Sequence, residues 1–186
     1  MLNWSYLPLD VELKKLHIGT VSYGPDSRVE VSQMLYFGDS VPNAHIANPV
    51  ASQHGRREIC GRVRDAVLAL SICHNVTPIH PSNQIGLVQY QAASPDEVAI
   101  VQWCASVGVF LDHRDRQTLR LRTSNGDRLT YEILRLFPFT SESKRMGIVV
   151  RADNGEIWFY MKGADTVMQK LVIANDWMEE ECAHMA

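Results

Sequence analysis

From residue 107 onward the chain is a run of strand-length segments with hairpin turns between them. The segments are VGVFLDH, QTLRLRT, RLTYEILRLF, MGIVVRA and EIWFYMK. Leu119 and Leu121 alternate with Arg120 and Arg122, the two-residue period of a strand with one wet face. Asn125-Gly126 and Asp153-Asn154-Gly155 are tight-hairpin signals, because such turns need backbone conformations that glycine adopts without steric cost. Strands joined by hairpins pair antiparallel, so this half of the chain cannot be a parallel, doubly wound sheet.

The first half reads differently. Residues 11–23 carry β-branched and apolar residues in a broken alternation, read as one strand ending at Gly24-Pro25-Asp26; residues 28–37 have mixed character. Residues 38–57 are rich in Pro, Asn, Ser, Gly and His and read as a flexible loop. Over 57–74, Ile59, Val63, Val67 and Leu70 form one apolar stripe of an amphipathic helix. Arg56, Arg57, Arg62 and Arg64 lie off that stripe, and Asn75 and Pro78 end the helix. Ser94 opens a second helix, with Pro95 at its first position and Glu97 placed to complete an S-x-x-E capping box. Residues 164–185 return to helix, in two short pieces, with Asp176 capping the second. The expectation is an α+β fold: an antiparallel twisted β-sheet of about six strands flanked by helices. Residues 1–186 are expected to form a single domain, with an atypical N-terminal segment at 1–10.

Several functional classes drop out. A net charge of −3 argues against nucleic acid as the main partner. No run of 18 or more apolar residues is present, so no membrane insertion is expected, and MLNWSYLPLD lacks the pattern of a secretory signal. Cys60, Cys73, Cys104 and Cys182 contain no C-x-x-C pair and read as reduced thiols; His74 follows Cys73, but no second pair at zinc-ligand spacing accompanies it. No metal site is therefore expected. G-x-x-x-x-G-K-[ST], G-x-G-x-x-G, G-x-S-x-G and H-E-x-x-H are all missing. A nucleotide site here would have to be built from an aromatic face, a polar hook and cations.

The segment Phe137 to Met146 offers such a set. Pro138 stops the preceding strand and leaves Phe139 at its end, where the ring can face a cleft and stack on a base. Lys144 and Arg145 follow at phosphate reach. Lys162 ends a strand ahead of Gly163 and Ala164, small residues that permit close approach to the backbone. Each also has a plain reading: core packing for Phe139, a solvated charge for Lys144, a helix cap for Glu97.

Read in order, Ala93-Ser94-Pro95-Asp96-Glu97, Phe137-Pro138-Phe139-Thr140, Lys144-Arg145-Met146 and Lys162-Gly163-Ala164-Asp165 resemble the ATP-binding N domain of P4-type ATPases, the lipid flippases. Cys73-His74-Asn75 is similar too. The resemblance covers roughly residues 58–185, and residues 12–23 resemble the strand that follows the family's phosphorylation motif. The FTSESKRMG wording is similar to the Golgi and endosomal branch thought to work without an accessory subunit. The resemblance implies that Glu97 hydrogen-bonds adenine with Asp96 beside it. Phe139 would stack on the ring, Lys144 approach the phosphates, and Lys162 line the inner end of the pocket. Thr140, Ser141, Met146 and Gly163 would shape the site.

It further implies ATP as ligand, Mg2+ carried with it, and the phosphorylation and actuator domains of a parent pump as partners. The domain itself would be monomeric, the cytosolic part of a Golgi or endosomal membrane protein. The D-K-T-G-T phosphorylation string and the T-G-E-S actuator string are not in this sequence. The isolated chain is therefore expected to bind and position ATP without hydrolysing it. The alternative is a non-catalytic interaction module that keeps the fold without useful nucleotide affinity. A self-contained phosphohydrolase is a third reading, for which no nucleophile or phosphate loop is visible.

Overall fold

The computed structural model describes residues 11–19, 21–37, 59–79 and 88–173. The apolar stretch at 11–23 folds back on itself instead of running as one strand. Strands β1 (Leu16–Ile18) and β2 (Val21–Tyr23) pair antiparallel, and the reversal comes at Gly19, whose φ of +65° is open to glycine. A single 3-10 turn (Pro25–Ser27) leads into helix α1 (Arg28–Phe37), so the mixed segment is helical. Its Val31 is fully buried, with Met34 and Leu35 packed against the core one turn on. The loop expected over 38–57 lies outside the described residues.

Helix α2 (Ile59–Ile72) buries the stripe read from sequence: Val63 and Val67 completely, Ile59 and Leu70 in part. Pro78 does not mark a simple helix stop. It sits within β3 (Thr77–Ile79), which forms a two-stranded ribbon with β4 (Gln89–Gln91). Helix α3 (Pro95–Ser106) buries Ala99, Val101, Trp103 and Cys104.

The strand series then forms one sheet: β5 (Val109–Arg114), β6 (Thr118–Thr123), β7 (Arg128–Phe137), β8 (Arg145–Ala152) and β9 (Ile157–Gly163), neighbours in chain order and all antiparallel. The α+β architecture is as expected. Among the described residues the main sheet holds five strands, and the other four strands form the two small ribbons. Gly126 and Gly155 close their hairpins with φ of +89° and +85°, the left-handed region that the Asn-Gly signals imply. Short α4 (Asp165–Met168) follows β9; the second helix expected, with its Asp176 cap, lies outside the described residues.

The core lies between one face of the sheet and the helices. Leu111, Leu119, Leu121, Ile148 and Val150 from the sheet meet Val63, Val67, Ile72, Val101 and Val107 from the helical side. Arg120 faces solvent between Leu119 and Leu121, as the alternation requires. This arrangement places the end of α2, the start of α3 and the ends of β8 and β9 close together.

Candidate functional site

Of the residues read as a site, Glu97 and Lys162 meet directly across 65 residues of sequence. Lys162 Nζ donates to Glu97 Oε1 at 2.7 Å. The second carboxylate oxygen, Oε2, accepts the backbone N–H of Asn75 at 3.0 Å. The capping box expected from Ser94 and Glu97 is not formed: Ser94 makes no side-chain cap bond, and the Glu97 carboxylate is engaged by Lys162 and the Asn75 N–H. Pro95 does occupy the first helical position. A charge-assisted bond to a lysine outweighs a local cap, and the same carboxylate cannot serve both geometries.

The α2 terminus supplies the floor beneath this pair. His74 is fully buried; its Nε2–H donates to the Ser71 carbonyl at 2.9 Å, and its Nδ1 accepts the Val76 N–H at 3.0 Å. Burial first, and then the nearby Arg114 charge, hold its pKa down to about 3, so the ring is neutral. The turn it braces is the one that aims the Asn75 N–H at Glu97. Cys73 points its thiol at the carbonyls of Met146 and Tyr160, at 3.9 and 3.8 Å, and burial pushes it up to about 11. It is a packed thiol, not a nucleophile.

The Phe137 to Met146 segment forms a turn at the ends of β7 and β8. Thr140 organises it: its Oγ1 donates to Ser143 Oγ at 2.8 Å and accepts the Ser143 N–H at 3.1 Å. Its carbonyl accepts the Lys144 N–H at 2.8 Å. Lys144 has φ +49°, a left-handed conformation uncommon for a residue with a side chain. Two backbone bonds hold it there, the second from the Ala164 N–H to its carbonyl at 2.9 Å. That bond ties the turn to the end of β9, beside Lys162.

Phe139 is 61% exposed, so its ring is a free face and not core packing. Ser141, Lys144 and Asp96 are also exposed. Met146 is the exception. It is buried in the core, paired in register with Lys162, and supports the site from beneath. Gly163 admits a close neighbour, and that neighbour is the chain itself. A Cβ there would stand 2.7 Å from the Lys144 carbonyl oxygen and 2.8 Å from Arg145 Cβ. The structure thus gathers Glu97, Lys162, Gly163 and Lys144 at one end of the sheet, with Phe139 on the same turn as Lys144 and Asp96 beside Glu97.

Two participants were not read as part of the site from sequence: the N–H of Asn75, taken there as a helix-end residue, and the buried Arg114 at the end of β5. Arg114 reaches the core side because the register of β5 shifts between Leu111 and His113; strict alternation from Val109 and Leu111 would have put it on the outer face, so the local pattern gave no signal.

Comparison with known proteins identifies the family of the chain. A family model of the cytoplasmic N domain of P-type ATPases matches residues 62–173. The chain is 49% identical over 180 residues to phospholipid-transporting ATPase NEO1 of Saccharomyces cerevisiae, covering 95% of this chain and 15% of that protein. It is 42% identical over 207 residues to probable phospholipid-transporting ATPase IIB of Danio rerio, covering 95% of this chain and 18% of that protein. It is 41% identical over 177 residues to phospholipid-transporting ATPase neo1 of Schizosaccharomyces pombe, at 95% and 15% coverage. The chain spans less than a fifth of the length of these relatives.

Proposed function

The chain belongs to the cytoplasmic N domains of P-type ATPases, and on that premise we propose that it is the ATP-binding domain of a phospholipid-transporting pump. The observation that carries this reading is the meeting of Glu97 and Lys162 beside the turn that bears Phe139 and Lys144. Phe139 supplies an exposed aromatic face for the adenine ring. Glu97, held by the Asn75 N–H and Lys162, keeps lone pairs free to accept from the exocyclic amine. Thr140 and Ser143 rigidify the turn, and Ser141 and Lys144 extend it toward the phosphates. Mg2+ travels with the triphosphate, whose oxygens suit a hard cation.

The chemistry assigned to this chain is positioning. It presents the γ-phosphate to an aspartate of a phosphorylation domain, with an actuator domain as further partner. The parent would move phospholipid across Golgi or endosomal membranes. Among the described residues no helix is long and apolar enough to cross a membrane. The names of the relatives support a lipid pump; the choice among lipids belongs to membrane segments.

The test is a titration of the chain with Mg-ATP, followed by amide NMR. Saturation is expected with a Kd from high micromolar to millimolar, roughly −4 to −6 kcal/mol. Phe139→Ala should weaken binding by about 1–3 kcal/mol, the contribution of one base–aromatic stack. Unchanged affinity in a folded Phe139→Ala variant removes the adenine platform. Absence of any saturable shift in the parent sequence removes the nucleotide reading altogether.

A further inference from the structure

The ion pair at the site leaves a question of charge. Lys162 is spent on Glu97, and a ligand that recruits Lys162 must take it away. Exposure falls inward through the cluster: the Lys162 side chain is 29% exposed, that of Glu97 14%, and Arg114 only 6%. A ligand arriving from solvent therefore meets Lys162 first and Arg114 last. Once Lys162 turned outward, the Glu97 carboxylate would remain largely buried with one backbone N–H. A buried charge in that condition is strongly disfavoured.

Arg114 is the group available to replace it. It sits at the end of β5, a strand that packs against both α3, which carries Glu97, and β3. No ion pair among the described residues holds it, and its Nη1 is buried without a hydrogen-bond partner. A guanidinium in that position is costly unless some state of the molecule uses it. The negative charge that acts on it is the Glu97 carboxylate. The other titratable groups around Glu97 cannot take its place. His74 is neutral and has both ring nitrogens engaged. Cys73 is a protonated thiol. Asp96, next along α3, carries the wrong sign.

We infer that Arg114 is the reserve counter-ion of the site: when a ligand draws Lys162 Nζ off Glu97 Oε1, Arg114 Nη1 donates to that oxygen and keeps the carboxylate paired and aimed. Arg114 is thus a positioning residue that acts through Glu97. The inference rests on the nucleotide reading for the identity of the ligand, but the exchange of partners is a property of the chain itself. Lys162 can serve the ligand without stranding Glu97.

The experiment follows the arginine side-chain resonances of the 15N-labelled chain, with the Arg114 signal assigned by its loss in Arg114→Lys. In Lys162→Met, without nucleotide, the Arg114 side-chain N–H signals should move downfield and exchange more slowly with water. Saturating Mg-ATP should move them the same way in the parent sequence, and Glu97→Gln should abolish both shifts. Arg114→Met should weaken Mg-ATP binding about 10–100-fold, the scale of a lost charged hydrogen bond, and Arg114→Lys should recover most of it. If Arg114→Met does not fold, the Lys162→Met and Arg114→Lys spectra decide. Arg114 signals indifferent to Lys162→Met overturn the inference. So does an ATP-induced shift that survives Glu97→Gln, since Arg114 would then touch the ligand itself. A Lys162→Met shift in a chain that shows no saturable ATP binding upholds the exchange and removes the nucleotide reading instead.

Discussion

Acidification from pH 7 to pH 5 should destabilise this chain through the His74 side chain. The ring is fully buried, with Nε2–H donating to the Ser71 carbonyl and Nδ1 accepting from the Val76 N–H. Protonating Nδ1 would set two donors against each other, and burial already penalises the charge. The folded pKa accordingly falls from 6.5 to about 3. The sign follows from proton linkage: below 6.5 the unfolded chain binds a proton that the folded chain refuses. Stability is therefore full above that value and declines steadily as the pH falls toward 3. At 1.36 kcal/mol per unit, the loss between pH 7 and pH 5 comes to about 2 kcal/mol. That is a substantial fraction of a typical net stability of about 5–15 kcal/mol. Urea unfolding followed by tryptophan fluorescence measures it, with buried Trp103 as a reporter. With a slope of about 2 kcal/mol per molar, the midpoint should fall by about 1 M with the slope unchanged. Asp115, whose carboxyl is held down to about 2, adds its own loss only at lower pH. His74→Asn should start lower at pH 7 and then run nearly level to pH 5. A level profile in the parent sequence, or an equal decline in His74→Asn, would refute the assignment of this buried neutral ring.

Gly163→Ala tests the close approach at the end of β9. Its Cβ would meet the Lys144 carbonyl oxygen at 2.7 Å, and backbone must move to admit it. A loss of about 1–3 kcal/mol in urea unfolding is expected, as for overpacking elsewhere, with the Ala164 amide losing its protection. An unshifted midpoint would mean that the strands are not this close. Asp115 accepts the N–H groups of Gln117 and Thr118 and binds His113, bonds that hold its carboxyl well below the usual 3.8. Its carbon-13 carboxyl titration should have a midpoint near about 2, with the β5–β6 turn keeping its contribution above pH 4 and losing it as the pH falls through that midpoint; a midpoint at the ordinary value would show that the turn is not formed this way.

The sheet was legible because water lies on one of its faces. Where Leu119 and Leu121 go inward, Arg120 must go outward, and the sequence carries that alternation without help from distant residues. The two Asn-Gly turns were legible for a similar reason, since the glycine φ they need is a local property. What failed was also local in origin. Residues 11–23 look like one strand because the pattern gives little weight to a single Gly19, yet that glycine reverses the chain. Helix α1 was obscured by Val29, Val31 and Phe37, which favour strands; Val31, Met34 and Leu35 face inward, while Val29 is exposed. Pro78 suggested a stop, but in a three-residue ribbon strand its missing N–H costs little.

The site was legible as a set of residues and illegible as an arrangement. Ser94 and Glu97 satisfy the capping-box spacing, so a local reading closes the matter at three residues. The competing partner, Lys162, lies 65 residues away and is brought in by register pairing of β8 with β9. Once that lysine is at 2.7 Å, the cap cannot compete, and Glu97 swings toward the end of α2 to collect the Asn75 N–H as well. Lys162 and Glu97 neutralise each other until something displaces one of them, and the group beneath them determines whether displacement is tolerable. A buried guanidinium whose Nη1 has no hydrogen-bond partner is costly as it stands; it makes physical sense in a molecule whose outer cation has to leave.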